Sequence, residues 1–271
     1  MDISIYYPKK YNGHKKFLTN KNSKSNKPHQ AVILKKLIFP PISENRIPFL
    51  MIDNESIKYI TFNVSAQEIT NIIMNSLHDF PCPIINNLNK TECDINKTEC
   101  DINKKIIKWS SKSLENRMKK LVITEMTAGV GGNVLNFAKY FKYVNAIEIN
   151  NERYKYLNNN IKLYDYTNVN CYNNNSIDLL IEKDDIIQNI IFFDPPWGGN
   201  GYKLYHNLKL MFDKYTIEQI CDKLFERNYN KMIVLKLPIN YDFDYLSQQL
   251  NKFTISKFIL NKMVIIVIKN Y

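Results

Sequence analysis

Glycine is scarce in this chain, with seven among 271 residues. Six of the seven fall in two clusters, Thr127-Ala128-Gly129-Val130-Gly131-Gly132-Asn133 and Asp194-Pro195-Pro196-Trp197-Gly198-Gly199-Asn200-Gly201; the seventh is Gly13. Glycine alone reaches positive φ without strain and lets a backbone approach a ligand closely, so its concentration in two places predicts two unusual loops. Cysteine is also sparse and odd in number: Cys82, Cys93, Cys100, Cys171 and Cys221, with no C-x-x-C pair. That argues against a disulfide framework and against a zinc site, and favours a reducing compartment. Long apolar runs are missing too. The opening Met1-Asp2-Ile3-Ser4-Ile5-Tyr6-Tyr7-Pro8-Lys9-Lys10 has no secretion-signal core, and nothing approaches a membrane span. A soluble intracellular protein without membrane partners is expected.

Basic residues are abundant, with a formal net charge of +11. Such an excess suits a polyanionic partner, nucleic acid first, although a lysine-rich solvated surface gives the same balance. The heavy use of Asn, Lys, Ile and Tyr fits an AT-rich genome such as that of a protist or a large DNA virus. The nucleus or cytoplasm is the expected site, and the cytoplasm if the source is viral.

Three regions are predicted. Residues 1–30 are polar and basic and read as a flexible tail. Residues 31–108 form an N-terminal extension, in which Val64-Ser65-Ala66-Gln67-Glu68 opens a helix that runs to about Asp79. Ile69, Ile72, Ile73 and Leu77 lie on its buried face, with Ser65 as N-cap and Glu68 completing a capping box. The perfect tandem repeat Thr91–Lys97 and Thr98–Lys104 reads as a duplication in an exposed inserted loop rather than a metal site.

Residues 109–271 alternate strand and helix. Strands are predicted at 120–125, 144–149, 169–172, 190–193 and 232–237. Helices follow the first glycine cluster, pass through Tyr154, Leu157 and Ile161, and occur within 203–212, 216–227 and 243–251. Two closing strands, about 253–260 and 262–269, meet at Asn261 as an antiparallel hairpin. This order predicts an α/β fold with a mostly parallel seven-stranded sheet, covered on both faces, that binds ligands at the carboxyl ends of its strands.

Glu125 ends the first of these strands, a glycine turn follows, and Glu148 ends the next strand 19 residues beyond Gly129. Glycine turn and spaced acid are how this architecture holds an adenosine. The turn stops short of G-x-G-x-x-G, which disfavours a nicotinamide cofactor, and no Gly-Lys-Ser/Thr follows for a P-loop. The second cluster is more specific. An aromatic amine is a poor nucleophile, and accepting its protons at the Asp194 side chain and the Pro195 carbonyl favours sp³ character and aims its lone pair. The prolines stiffen that geometry, and Trp197 offers a flat face for a base.

At these residues the chain resembles class I S-adenosylmethionine-dependent methyltransferases, and more closely the trimethylguanosine synthase family, the RNA cap guanine-N2 methyltransferases. The resemblance rests on Gly129–Asn133, on Pro195–Gly199 with Tyr202, on Phe62–Gln67 and on Leu237-Pro238-Ile239-Asn240, and spans about residues 60 to 270. It implies a Rossmann-like class I fold, with 109–271 as the methyltransferase domain and S-adenosylmethionine as cofactor. Cofactor contacts are implied for Ser65, Glu125, Thr127, Gly129, Gly131, Asn133, Glu148, Asn175 and Asp194. Asp194, Pro195 and Trp197 would orient a 7-methylguanine, whose positive ring gains a cation–π term on indole. Capped RNA is the implied partner and a monomer the expected state, with Lys203, Lys209 and Lys236 near the site in sequence. Two alternatives stay open: an amino-methyltransferase acting on another guanine N2 or an adenine N6, and a non-catalytic RNA-binding subunit.

Overall fold

A computed structural model describes residues 5–6, 27–80, 111–227 and 229–271. The tandem repeat and most of the basic tail lie outside the described residues. Ile5–Tyr6 forms strand β1, and helix α1 (Lys27–Ile38) opens the extension. Helix α2 is Asn63–Asn75 and α3 is Ser111–Met118. Then come β2 (Val122–Glu125), α4 (Val134–Phe137), β3 (Tyr143–Ile147), α5 (Asn151–Leu163), β4 (Val169–Tyr172) and β5 (Ile190–Phe193). The chain closes with β6 (Met211–Phe212), β7 (Tyr215–Thr216), α6 (Ile217–Phe225), β8 (Met232–Pro238), α7 (Phe243–Gln249), β9 (Thr254–Leu260) and β10 (Met263–Lys269).

The main sheet has the order β1-β9-β10-β8-β5-β2-β3-β4. From β4 to β8 all neighbours are parallel, and β10 runs antiparallel between β8 and β9. The predicted seven-stranded sheet with its closing hairpin is therefore present, and β1 adds a two-residue edge beside β9. At the hairpin turn Asn261 has φ 56°, a left-handed conformation that asparagine tolerates better than most residues. The chain runs outward from β2 through β3 to β4, then returns to place β5 on the other side of β2. That reversal is a topological switch point, where a crevice opens beyond the strands' carboxyl ends. Both glycine loops leave the sheet there.

The apolar strand β5 is buried throughout and feeds two cores. Ile190 and Phe192 face the first with Ile123, Phe137 and Leu157, and Ile191 and Phe193 face the second with Ile220, Leu224 and Leu246. Alternation along a strand sends successive side chains to opposite faces, so one strand serves both layers. Phe39, Ile47, Leu50, Ile69 and Ile73 of the extension belong to the first core. The extension thus packs as part of one sheet face.

Two local expectations are corrected. Ser65 does not cap α2: the N-cap is Phe62, no side-chain capping bond forms, and Ser65 is the third helical residue. Ile69, Ile72, Ile73 and Leu77 are buried as the periodicity required. Residues 203–212 do not form a helix. A 3-10 segment covers Gly199–Leu204, and Met211–Phe212 pairs with Tyr215–Thr216 in a small hairpin. Leucines at 204 and 208 mimic helical spacing, but Asn207 and Asp213 at φ 56° turn the chain away from it, and Leu204 is 84% exposed.

Candidate active site

The first loop is gripped from several sides. Gly131 sits at φ 106°, and a Cβ at Gly132 would come within 2.8 Å of Ile60 Cγ1 and 2.9 Å of the Thr61 carbonyl oxygen. Glycine is required here for conformation at one position and for close approach at the next. The Gly129 N–H donates to Glu148 Oε2 and the Asn150 N–H to Glu148 Oε1, both at 2.8 Å, so the turn itself aims the Glu148 carboxylate. Asn160 on α5, fully buried, donates from Nδ2 to the carbonyls of Val130 at 2.9 Å and Met51 at 2.8 Å. Its Oδ1 accepts the Met51 N–H at 2.8 Å. One amide thereby fastens the turn, α5 and the extension together.

Below this turn Glu125 is 1% exposed. Asn133 Nδ2 donates to Glu125 Oε1 at 3.2 Å and to Thr61 Oγ1 at 3.3 Å. Glu125 Oε2 and Asn133 Oδ1 are buried with no partner. Burial pushes the Glu125 carboxyl up to about 8; the Asn133 hydrogen bond and the Lys236 charge oppose the rise, and Asp194 and Glu148 add to it. Orphaned buried acceptors are expensive. The turn is open at one point, Gly129, where an added Cβ would meet nothing within 4 Å. Such unpaired acceptors suit a ligand that brings donors.

The two loops are joined directly: Thr127 Oγ1 donates to the Asp194 carbonyl at 2.9 Å. Asp194 Oδ2 meets Lys236 Nζ at 2.5 Å. Burial raises the Asp194 carboxyl, and the charge and hydrogen bond of Lys236 pull it back. Pro195 is buried and Pro196 exposed. Trp197 is half-buried and donates from Nε1 to the Lys236 carbonyl at 3.3 Å. The Tyr202 ring meets Trp197 edge-on, with centroids 5.3 Å apart and planes at 77°. Asn240 Nδ2 donates to the carbonyls of Tyr202 and Tyr205 at 2.8 and 2.7 Å, holding the far side of the loop. A cavity of about 470 Å³ results, lined by Trp197, Tyr202, Tyr205 and Lys209 among others.

Glu125, Thr127, Gly129, Gly131, Asn133, Glu148, Asp194, Pro195 and Trp197 therefore converge at the switch point. Two sequence candidates stand differently. Among the described residues Ser65 makes no side-chain hydrogen bond, and it lies half-buried in the first turn of α2. Asn175 Oδ1 accepts the Ile177 N–H at 2.9 Å, and its Nδ2 lies 3.5 Å from Asp213 Oδ2, so its amide is engaged by its own turn and by the β6–β7 hairpin. Sequence reasoning missed Asn160 and Thr61, and it placed Lys236 only among lysines near the site. A lysine inside the apolar run Met232-Ile233-Val234-Leu235-Lys236-Leu237 was a readable signal of a buried charge. Asn160 carried none, because its partners lie 30 and 109 residues away.

Residues 120–268 match the family described as RNA cap guanine-N2 methyltransferase. The chain belongs to this family. It is an S-adenosylmethionine-dependent methyltransferase, and its sheet is the Rossmann-like one of that class. The chain is also 62% identical over 271 residues to uncharacterized protein L320 of Acanthamoeba polyphaga mimivirus, covering 100% of this chain and 97% of that protein. Among solved structures it is similar to a 16S rRNA N2 G1207 methyltransferase of T. thermophilus in complex with AdoMet and guanosine. There the identity is 12%, the TM-score 0.46, and coverage 59% of this chain and 40% of the other. Another is precorrin-6y C5,15-methyltransferase of Geobacter metallireducens, with 13% identity, a TM-score of 0.42, and 64% and 96% coverage. Among the described residues no helix is long and apolar enough to cross a membrane.

Proposed function

We propose that this methyltransferase acts on the exocyclic N2 amine of a 7-methylguanosine RNA cap. The observation that carries the reading is the placement of the half-buried Trp197 indole against a cavity of about 470 Å³, in a loop tied through Thr127 to the cofactor turn. S-adenosylmethionine supplies a methyl group already activated on a sulfonium. The orphaned Glu125 Oε2 and Asn133 Oδ1 fit its methionine end, and the Glu148 carboxylate, fixed by two backbone N–H groups, fits its ribose hydroxyls.

The protein's own contribution is positioning and polarisation. Asp194 and the Pro195 carbonyl accept the amine protons, which draws the lone pair out of the ring system. Trp197 carries the base, and a ring made cationic by N7 methylation gains on indole beyond ordinary stacking. Lys209 at the cavity and Lys203, whose ammonium lies 5.8 Å from the Tyr202 ring, are proposed phosphate contacts for the bridge of a capped RNA. Affinity carried by such contacts falls steeply with salt.

The test is a substrate panel. The protein is incubated with labelled S-adenosylmethionine and GTP, 7-methyl-GTP, a 7-methylated cap dinucleotide or uncapped RNA, and the product nucleoside is identified by mass. Methylation at N2 of the 7-methylated substrates is expected. A methyl group on adenine N6, or only on internal guanines of uncapped RNA, would replace the cap with another amine. Absence of both transfer and cofactor binding would favour a non-catalytic subunit.

A further inference from the structure

Lys236 interrupts the apolar strand β8, and its side chain is 6% exposed. Its ammonium does not face solvent, where a phosphate contact would need it. Nζ lies 2.5 Å from Asp194 Oδ2 and 5.2 Å from the centre of the Trp197 ring, and the Lys236 carbonyl accepts the indole N–H. One residue therefore touches both side chains to which the substrate amine and base are assigned. A buried ammonium is strongly disfavoured without a carboxylate, and a buried carboxylate without a cation, so neither Asp194 nor Lys236 is explained alone.

The electrostatic surroundings sharpen the point. Asp194 is met by Lys236 from β8, while Glu125 from the end of β2 and Glu148 from the end of β3 place two more acidic groups in the same crevice. Burial favours the protonated, neutral form of Asp194, and only the charge and hydrogen bond of Lys236 oppose it. A protonated carboxyl is a weak acceptor and cannot polarise an amine well.

We propose that Lys236 is a positioning residue for the methyl-transfer reaction: its ammonium anchors Asp194 through Oδ2 as a carboxylate, leaving Oδ1 to accept the substrate amine. This rests on the reading of Asp194 as the amine acceptor. It also gives Lys236 a role distinct from RNA phosphate binding, since the cation is consumed within the site. The Asp194–Lys236 pair is neutral overall, so a cationic base on Trp197 meets no net positive charge from it.

The experiment compares Lys236→Met, Lys236→Gln and Lys236→Arg with the wild type, following kcat/KM for the cap dinucleotide from about pH 4 to about pH 9. Both neutral variants are expected to shift the acidic limb upward by about one pH unit or more, because Asp194 then needs a lower proton concentration to ionise. Lys236→Arg, which keeps the charge, is expected to restore the limb. Calorimetric affinity for the dinucleotide without cofactor is expected to move with pH in the same direction, a readout independent of turnover. Asp194→Asn, with no ionisable group, is expected to abolish the limb in the calorimetric affinity, which needs no turnover, and thereby assign it.

A wild-type limb in either neutral variant, with only a lower plateau, would overturn the proposal, as would a limb that survives Asp194→Asn. If Lys236→Met fails to bind cofactor, Lys236→Gln and Asp194→Asn still decide. A wild-type protein that methylates no exocyclic purine amine would fail at the earlier step, and the two failures are thus distinguishable.

Discussion

The two glycine loops emerge from adjacent strands and are built in opposite ways. Around Gly131 and Gly132 the backbone is enclosed: Ile60 and Thr61 press on it, Asn160 holds its carbonyl, and the neighbouring Gly129 N–H helps aim Glu148. Around Gly198, Gly199 and Gly201 an added Cβ would meet nothing within 4 Å. The second loop is anchored at its ends, through Asp194 to Lys236 and Thr127 and through Asn240 to Tyr202 and Tyr205, and between them by the Trp197 indole on the Lys236 carbonyl. Enclosure suits a turn that always receives the same small ligand. An open loop between fixed ends suits a face that must admit part of a larger one.

The contrast can be broken most severely on the open side. Trp197→Ala should lower kcat/KM for a 7-methylated cap by roughly 5- to 150-fold, the equivalent of about 1–3 kcal/mol of stacking. Calorimetric affinity for S-adenosylmethionine should stay near wild type; a wild-type rate would remove the stacking role. On the enclosed side, Asn160→Ala orphans the Met51 N–H and two carbonyls. Thermal unfolding should report a loss of about 3 kcal/mol, with weaker cofactor binding.

Gly132→Ala forces a Cβ against the backbone of Thr61 and should destabilise by about 1–3 kcal/mol. Its counterpart Gly201→Ala, in open space, should change stability by less than about 0.5 kcal/mol. Equal effects of these two alanines would dissolve the comparison. A separate effect concerns pH. Glu125 has its carboxyl raised to about 8, so the folded protein holds a proton that the unfolded chain has released. Stability of the cofactor-free protein should then decline as pH rises from the ordinary carboxyl range through about 8. Glu125→Gln should flatten that decline in a series of unfolding curves.

Much of this architecture is legible in the amino-acid pattern. Apolar runs such as Ile190–Phe193 and the Asn261 break specify strands and a hairpin locally. Their order then fixes where the two loops meet. Residues 203–212 are not legible in this way, since leucines at helical spacing outweigh Asn207 and Asp213, whose left-handed turns depend on the small hairpin they border. Ser65 misleads for a related reason: a capping pattern is permissive, and packing of the preceding segment starts the helix three residues earlier, at Asn63 with Phe62 as N-cap. In the site, motif residues are readable because they are contiguous, while Asn160, Thr61 and the Lys236–Asp194 pair are assembled only by tertiary contact.

The match to the methyltransferase family begins at residue 120, yet the stay that holds the first glycine turn reaches back to Met51. A transplant of the matched segment onto another leader would therefore sever an amide fork and leave Gly132 facing a stranger instead of Ile60 and Thr61. The stretch whose contacts hold this turn in place is longer than the stretch that carries the family signature.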